Sequence, residues 1–434
     1  MRLFYSLMWT LAMPLVLARL WWRGRKEPGY RQHWGERLGF YSVASKMPAS
    51  IWVHAVSVGE TRAAEPLIDA LMVAYPDIRI ILTHMTPTGR ATGQGLFSKH
   101  GARLVQAYLP YDLSFLVARF IRHFAPRVCI LMETEVWPNM IAACARHAVP
   151  VALVNARLSA RSLRRGQRFG ALMRDAARNI TLVAAQTEAD ANRIASLGAP
   201  RVEVTGSIKF DVLVPDAALQ TGAWMRAQIG ARPVLLCAST RDGEEALILD
   251  AWQALPANEL DALLMIVPRH PQRFDDVAKL VGARGLSLAR RSQLGTIEAG
   301  VQVLLGDSMG EMFAYYAACD CAFIGGSLLP LGGQNLIEAC ALSKPVLVGP
   351  HTFNFAQATE EAIAAGGARC VPDATQLMRV AVELLGAPAV RADIGVRAHL
   401  FANRHRGATA RTLEMLHPLI VTTDLNICQQ SRDV

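Results

Sequence analysis

Short apolar runs alternate with amphipathic stretches along this chain, and the series runs twice. The first set lies at 51–56, 78–82, 104–107, 128–132, 151–154 and 182–185, and the second at 234–237, 263–267, 303–305, 321–324 and 346–348. Between them come helical patterns such as Leu67-Ile68-Leu71-Met72 and Phe115-Leu116-Arg119-Phe120-His123. Runs of this length, continuous rather than alternating, suit strands buried on both faces, and helices between them predict parallel, doubly wound sheets. A chain of 434 residues exceeds one ordinary core and fits two domains of about 200 residues each. The predicted division is 27–210 and 233–405, with a linker over 211–232 and a C-terminal helical segment and tail over 406–434. Ligands of such sheets bind at the carboxyl ends of the strands, so two sheets facing each other are expected to share one cleft.

The net charge of +9 is unevenly spread: 27 Lys and Arg stand against 13 Asp and Glu up to residue 210, and 18 against 23 beyond it. A basic first half points to an anionic partner. No motif or basic-aromatic interleaving argues for nucleic acid. Anionic lipid fits better, because residues 3–18 are an apolar run and Leu20, Trp21 and Trp22 extend it past Arg19. Arg19, Arg23, Arg25, Lys26 and Arg31 follow, which places the rest of the chain on the cytoplasmic side. Residues 1–26 are thus expected to form a single N-terminal membrane anchor, the alternative being a buried helix. No small-residue cleavage site follows it. The eight cysteines form no CxxC pair and mostly sit in apolar segments, as small buried hydrophobes of a reducing compartment do. No ligand spacing suggests a metal.

Several predicted strands end in residues able to do chemistry. The run 321–324 leads into Gly325-Gly326-Ser327-Leu328-Leu329-Pro330-Leu331-Gly332-Gly333-Gln334-Asn335-Leu336-Ile337-Glu338. Paired glycines before a helix start predict a backbone-lined pocket with free N–H groups aimed at an anion, with Asn335 and Glu338 as polar contacts. The bland alternative is a flexible loop. Ser239-Thr240-Arg241 and Arg269-His270 follow two other strands and suit an anion, while Met309-Gly310-Glu311 lies in a turn suited to a base or ribose. In the first half, Glu60 follows 51–56 at the start of a helix. It is placed either to take a proton from a hydroxyl or simply to cap that helix. Glu133 and Glu135 follow 128–132, and on an extended segment they would point the same way and raise each other's pKa. Lys209 lies at the domain junction, where an ammonium would stabilise a leaving phosphate. Arg157, Arg161, Arg164, Arg165 and Arg168 form either a solvated face or a phosphate-binding lip.

Together Ser57-Val58-Gly59-Glu60, Met85-Thr86-Pro87-Thr88-Gly89, Leu109-Pro110-Tyr111-Asp112, Glu133-Thr134-Glu135-Val136-Trp137-Pro138-Asn139, Asn155-Ala156-Arg157-Leu158-Ser159, Pro268-Arg269-His270-Pro271 and the double-glycine stretch resemble the 3-deoxy-D-manno-octulosonic acid (Kdo) transferases of lipid A biosynthesis. The resemblance runs from Trp34-Gly35-Glu36-Arg37 to His351-Thr352-Phe353-Asn354-Phe355. It implies a membrane-anchored, inverting GT-B glycosyltransferase: two Rossmann-like domains across a cleft, the first for the acceptor and the second for the CMP-sugar. It would move Kdo from CMP-Kdo to a phosphorylated, tetra-acylated lipid A precursor at the cytoplasmic face of the inner membrane, without metal or cofactor. It also implies Glu60 as general base, Glu133 and Lys209 as transition-state supports, and Arg269, His270, Met309, Gly310, Glu311, Asn335, Leu336, Ile337 and Glu338 as CMP contacts. Gln334 departs from the His of some members, and Arg241 occupies a variable position. The alternative is another GT-B enzyme with a UDP-sugar, such as a membrane-associated GlcNAc transferase or a sugar epimerase.

Overall fold

The computed structural model describes residues 1–25, 27–42, 50–166, 170–256, 261–293 and 295–430, the last nine of these by backbone alone. Lys26, Arg168 and the Cys428 side chain therefore lie outside the described residues. The chain divides into two compact units, Met1–Asp211 with Arg406–Val434, and Val212–His405.

The first unit contains β1 Ile51–His54, β2 Ile80–His84, β3 Leu104–Tyr108, β4 Val128–Met132, β5 Val151–Ala156, β6 Leu182–Ala185 and β7 Val202–Val204. They form one sheet in the order β3-β2-β1-β4-β5-β6-β7, parallel throughout. Alternate residues of β1 feed opposite cores. Ile51 and Val53 pack with Leu67 and Leu71 of helix Val58–Ala74 and with Leu416 and Ile420 near the C-terminus. Trp52 packs with Phe120, Phe124 and Ile141 on the other face.

The second unit repeats the plan with β8 Val234–Thr240, β9 Leu263–Pro268, β10 Leu288–Arg290, β11 Val303–Leu305, β12 Cys321–Ile324, β13 Val346–Val348 and β14 Ala368–Cys370. Their order is β10-β11-β9-β8-β12-β13-β14, again all parallel. Two such sheets make this the GT-B fold that the alternation of apolar runs predicts. The edge strands β7, β10 and β14 escaped the sequence reading. Each is three residues long and only partly buried, so none carries a continuous apolar run.

The stretch 211–232 is more than a linker. Helix Asp216–Ile229 buries Met225 and Ile229 and packs on helix Met312–Ala318, where a Cβ on Gly222 would lie 2.5 Å from the Ala317 methyl. Nor does 406–434 stand alone. Asp211 accepts the Gly407 and Thr409 N–H groups at the start of helix Ala408–Gln430, which packs into the first unit's core. Six of the described cysteines are buried and Cys370 is exposed.

One described helix, Arg2–Arg23, is long and apolar enough to cross a membrane. Leu3, Phe4, Leu7, Met8, Leu11 and Leu15 are exposed on it, whereas Trp9, Met13, Val16 and Leu17 pack on Tyr111, Leu113 and Leu116 of the first unit.

Candidate active site

In a doubly wound sheet the crevice opens where strand order reverses, beyond the carboxyl ends of the two central strands. In the first unit those strands are β1 and β4, and the residues that follow them are Glu60 and Glu133. In the second they are β8 and β12, followed by Arg241 and the double-glycine stretch.

Ser57 caps helix Val58–Ala74 by accepting the Glu60 N–H at 3.5 Å. The Glu60 carboxylate in turn accepts the Val56 N–H at 2.8 Å and the Ser57 hydroxyl at 3.0 Å. This is a capping box displaced by one residue, so the capping role considered for Glu60 is real. Capping alone holds a carboxyl low, through those hydrogen bonds and the helix dipole. Here burial, followed by the charges of Glu135 and Glu133, outweighs them and pushes Glu60 up to about 7. A carboxylate that gains a proton near neutrality is matched to general-base work. The buried His54 and His84 are held down, mainly by burial, to about 3 and about 4, so both are neutral at pH 7.

Glu133 and Glu135 do not lie on an extended segment. Glu133 takes a left-handed conformation (φ 57°) in a turn, and the Glu135 N–H returns to the Met132 carbonyl. Their charges still meet: burial raises Glu135, and Glu133 adds to that rise against a hydrogen bond from Trp137. Lys209, on a short 3-10 turn at Ile208–Phe210, pairs with Glu133 at 2.7 Å. Asn155, fully buried, joins the two segments. It accepts the Ile208 N–H at 3.2 Å and extends its amide toward Glu133 at 3.5 Å. Asn155 carried a motif in the sequence but no role there. Its left-handed backbone (φ 51°) at the end of β5, which no local pattern announces, aims it. Arg157, Arg161, Arg164 and Arg165 are exposed.

In the second unit the first part of the double-glycine stretch is bonded within the protein. Its N–H groups at Gly325, Gly326, Leu328, Gly333 and Gln334 all have protein partners. The fully buried Glu244 accepts those of Gly326 at 2.6 Å, Leu328 at 3.0 Å and Arg241 at 2.9 Å. The Gly325, Gly333 and Gln334 N–H groups bond to backbone carbonyls. A Cβ on Gly325 would lie 2.6 Å from the Ser239 carbonyl oxygen, so glycine there lets the β8 and β12 loops interlock. Its opening turn, at Gly326 and Leu328, is thus built around an internal carboxylate.

Two arginines and a histidine follow β8 and β9. Burial, and then the charges of Arg241 and Arg269, hold His270 below its usual range, which favours its neutral ring. The Arg269 N–H bonds to the Thr240 carbonyl. Past β11, Met309 is exposed, Gly310 is left-handed (φ 80°), and Glu311 pairs with Arg291 at 3.0 Å. Asn335 donates to Glu338 at 3.1 Å and accepts the Ile337 N–H. Leu336 and Ile337 bury their side chains, which leaves them main-chain contacts only. Because the strands are parallel, the loops after β11, β9, β8 and β12 share one edge of the sheet.

The proton balance makes a testable demand. In the fold Glu60 keeps its proton to about pH 7, against 4.5 for a free glutamate. Between those values the native state holds a proton that the unfolded chain has lost, so stability falls as pH rises through the window. Glu60→Gln removes this penalty. Its apparent Tm should exceed the parent's by about 3–6 °C at pH 8 and match it near pH 4.5, measured by scanning calorimetry.

Residues 32–212 match the family model described as 3-deoxy-D-manno-octulosonic-acid transferase (kdotransferase). The 3-deoxy-D-manno-octulosonic acid transferase of Bordetella pertussis is 47% identical over 423 residues, 94% of this chain and 98% of that protein. The Haemophilus influenzae transferase is 38% identical, over 96% of this chain and 99% of its own. UDP-GlcNAc 2-epimerase from Neisseria meningitidis shares the fold at a TM-score of 0.58 and 16% identity, covering 85% of this chain and 99% of that one. With identity of this level end to end, and the family's motifs at the carboxyl ends of both sheets, the chain belongs to the 3-deoxy-D-manno-octulosonic acid (Kdo) transferase family of glycosyltransferases.

Proposed function

We propose that this enzyme transfers Kdo from CMP-Kdo to a phosphorylated lipid A precursor, with inversion and in one displacement. The observation that carries this reading is Glu60, whose carboxyl is pushed up to about 7 at the first unit's switch point. The acceptor hydroxyl attacks the anomeric carbon of Kdo as the bond to the CMP phosphate breaks, and its proton passes to Glu60. The transition state has oxocarbenium character. Glu133 holds the Lys209 ammonium in place, where it supports charge moving onto the leaving phosphate. The second unit takes CMP: Arg269 and His270, with Arg241 beside them, meet the single phosphate. Met309, Gly310 and Glu311, with Asn335 to Glu338, line the nucleoside.

The acceptor is read as a lipid because the exposed leucines of helix Arg2–Arg23 continue into a basic segment. There the Arg25 and Arg31 guanidinium groups stack on Trp21 at 5.1 and 4.7 Å. That arrangement suits an anionic interface, and the proposal takes it to be the cytoplasmic face of the inner membrane.

The test is direct. CMP should raise Tm by several degrees and UDP should not. Mass spectrometry of the lipid after incubation with excess CMP-Kdo should show added Kdo and count the residues transferred. Stabilisation by UDP alone would move the assignment to a UDP-sugar enzyme.

A further inference from the structure

The half-buried stripe of helix Arg2–Arg23 is Tyr5, Ser6, Trp9, Ala12, Met13, Val16 and Leu17, ending at the buried Leu20, and it is apolar except at its first two positions. A helix that only anchors the chain has no use for a polar contact there. Ser6 nevertheless has one. Its hydroxyl accepts the Asn139 side-chain amide at 2.9 Å, and Asn139 is 1% exposed. The same amide donates to the Asp112 carbonyl at 2.7 Å. The Asp112 carboxylate takes the Asn139 and Met140 N–H groups at 3.1 and 2.8 Å and lies near the Tyr5 hydroxyl, with which it interacts electrostatically. This cluster holds the first turn of helix Pro138–Arg146. The helix cap is Trp137, whose indole donates to Glu135 at 2.9 Å, and Glu135 is the charge that contributes most to raising Glu60.

We infer that the N-terminal helix is a positioning element of the transfer site, acting through Ser6 and Tyr5. Their hydroxyls set the register of the helix against Asp112 and Asn139, and so fix the segment that presents Glu133 and Glu135 beside Glu60. A membrane that holds the exposed face of this helix is then mechanically joined to the acceptor side of the site. The inference rests on Glu60 and Glu133 serving as proposed above.

The experiment uses the full chain with phosphatidylethanolamine–phosphatidylglycerol vesicles and compares Ser6→Ala with the double variant Tyr5→Phe/Ser6→Ala. Both keep an apolar helix, so vesicle binding and stabilisation by CMP should match the parent. kcat should fall about three- to tenfold with KM for CMP-Kdo unchanged, amide exchange over residues 133–140 should quicken, and Ser6→Thr should restore both. Leu7→Ser/Leu11→Ser on the exposed face should do the reverse, weakening vesicle binding while kcat in detergent stays at the parent value. Parental kcat and exchange in the Ser6 variants would reduce the helix to an anchor and overturn the inference. So would a loss of kcat that merely tracks a fall in Tm. Amide exchange does not depend on which residue is the base, so a failure of the Glu60 assignment would show separately, as parental transfer by Glu60→Gln.

Discussion

Glu60→Gln should lower kcat for Kdo transfer about a thousandfold while leaving the affinity for CMP-Kdo within about twofold, because a positioned base contributes roughly 10²–10⁴. Glutamine is the informative replacement. Its carbonyl can still accept the Val56 N–H and its amide can still meet the Ser57 hydroxyl, so the start of the helix survives and only the proton acceptor is lost. The parent should also show kcat/KM rising as pH approaches 7 and levelling above it, the limb reporting loss of the Glu60 proton. That limb should vanish in the variant. Single-turnover assays with CMP-Kdo across pH 5.5–8.5 would measure both. Transfer near the parental rate, with the limb intact, would leave Glu60 as a helix cap and nothing more.

The largest expected effect on stability is at Glu244. Its carboxylate answers three backbone N–H groups, at Arg241, Gly326 and Leu328, in a fully buried position. Glu244→Ala leaves those donors without a partner and a small cavity beside them, at about 3–5 kcal/mol. For a unit of this size that corresponds to a fall in apparent Tm of about 10 °C or more. Because the same carboxylate joins the loops after β8 and β12, stabilisation by CMP should shrink with it. Calorimetry with and without CMP reads both. A variant within about 2 °C of the parent would mean that water replaces the carboxylate and that the loops hold without it.

Much of this molecule was legible beforehand. The central strands β1, β4, β8, β9 and β12 appear as apolar runs because both faces of a central strand are covered, so every position along it is selected for burial. The family motifs fall at strand ends, where parallel topology collects loops on one edge. The double-glycine stretch is legible as a loop that needs glycine, but not the carboxylate that takes its Gly326 and Leu328 N–H groups. Its occupant, Glu244, lies 82 residues away from Gly326 in the chain. Two adjacent acidic residues at a helix start, Glu244 and Glu245, look like ordinary first-turn charges. The structure buries both and gives them different duties, Glu245 accepting the Thr240 hydroxyl and pairing with Arg273.

The sequence by itself determined the two doubly wound sheets, the family, and the strand ends at which chemistry is possible, since each depends on residue types within a few positions of one another. Tertiary structure alone decided what surrounds those residues. It set the charges of Glu135 and Glu133 near Glu60, closed Lys209 onto Glu133, filled the glycine loop with Glu244, and turned half of an apolar N-terminal helix onto the protein. A pattern of hydropathy reports which residues leave water. The pKa of a carboxyl and the partner of an N–H depend on which distant groups leave water beside it.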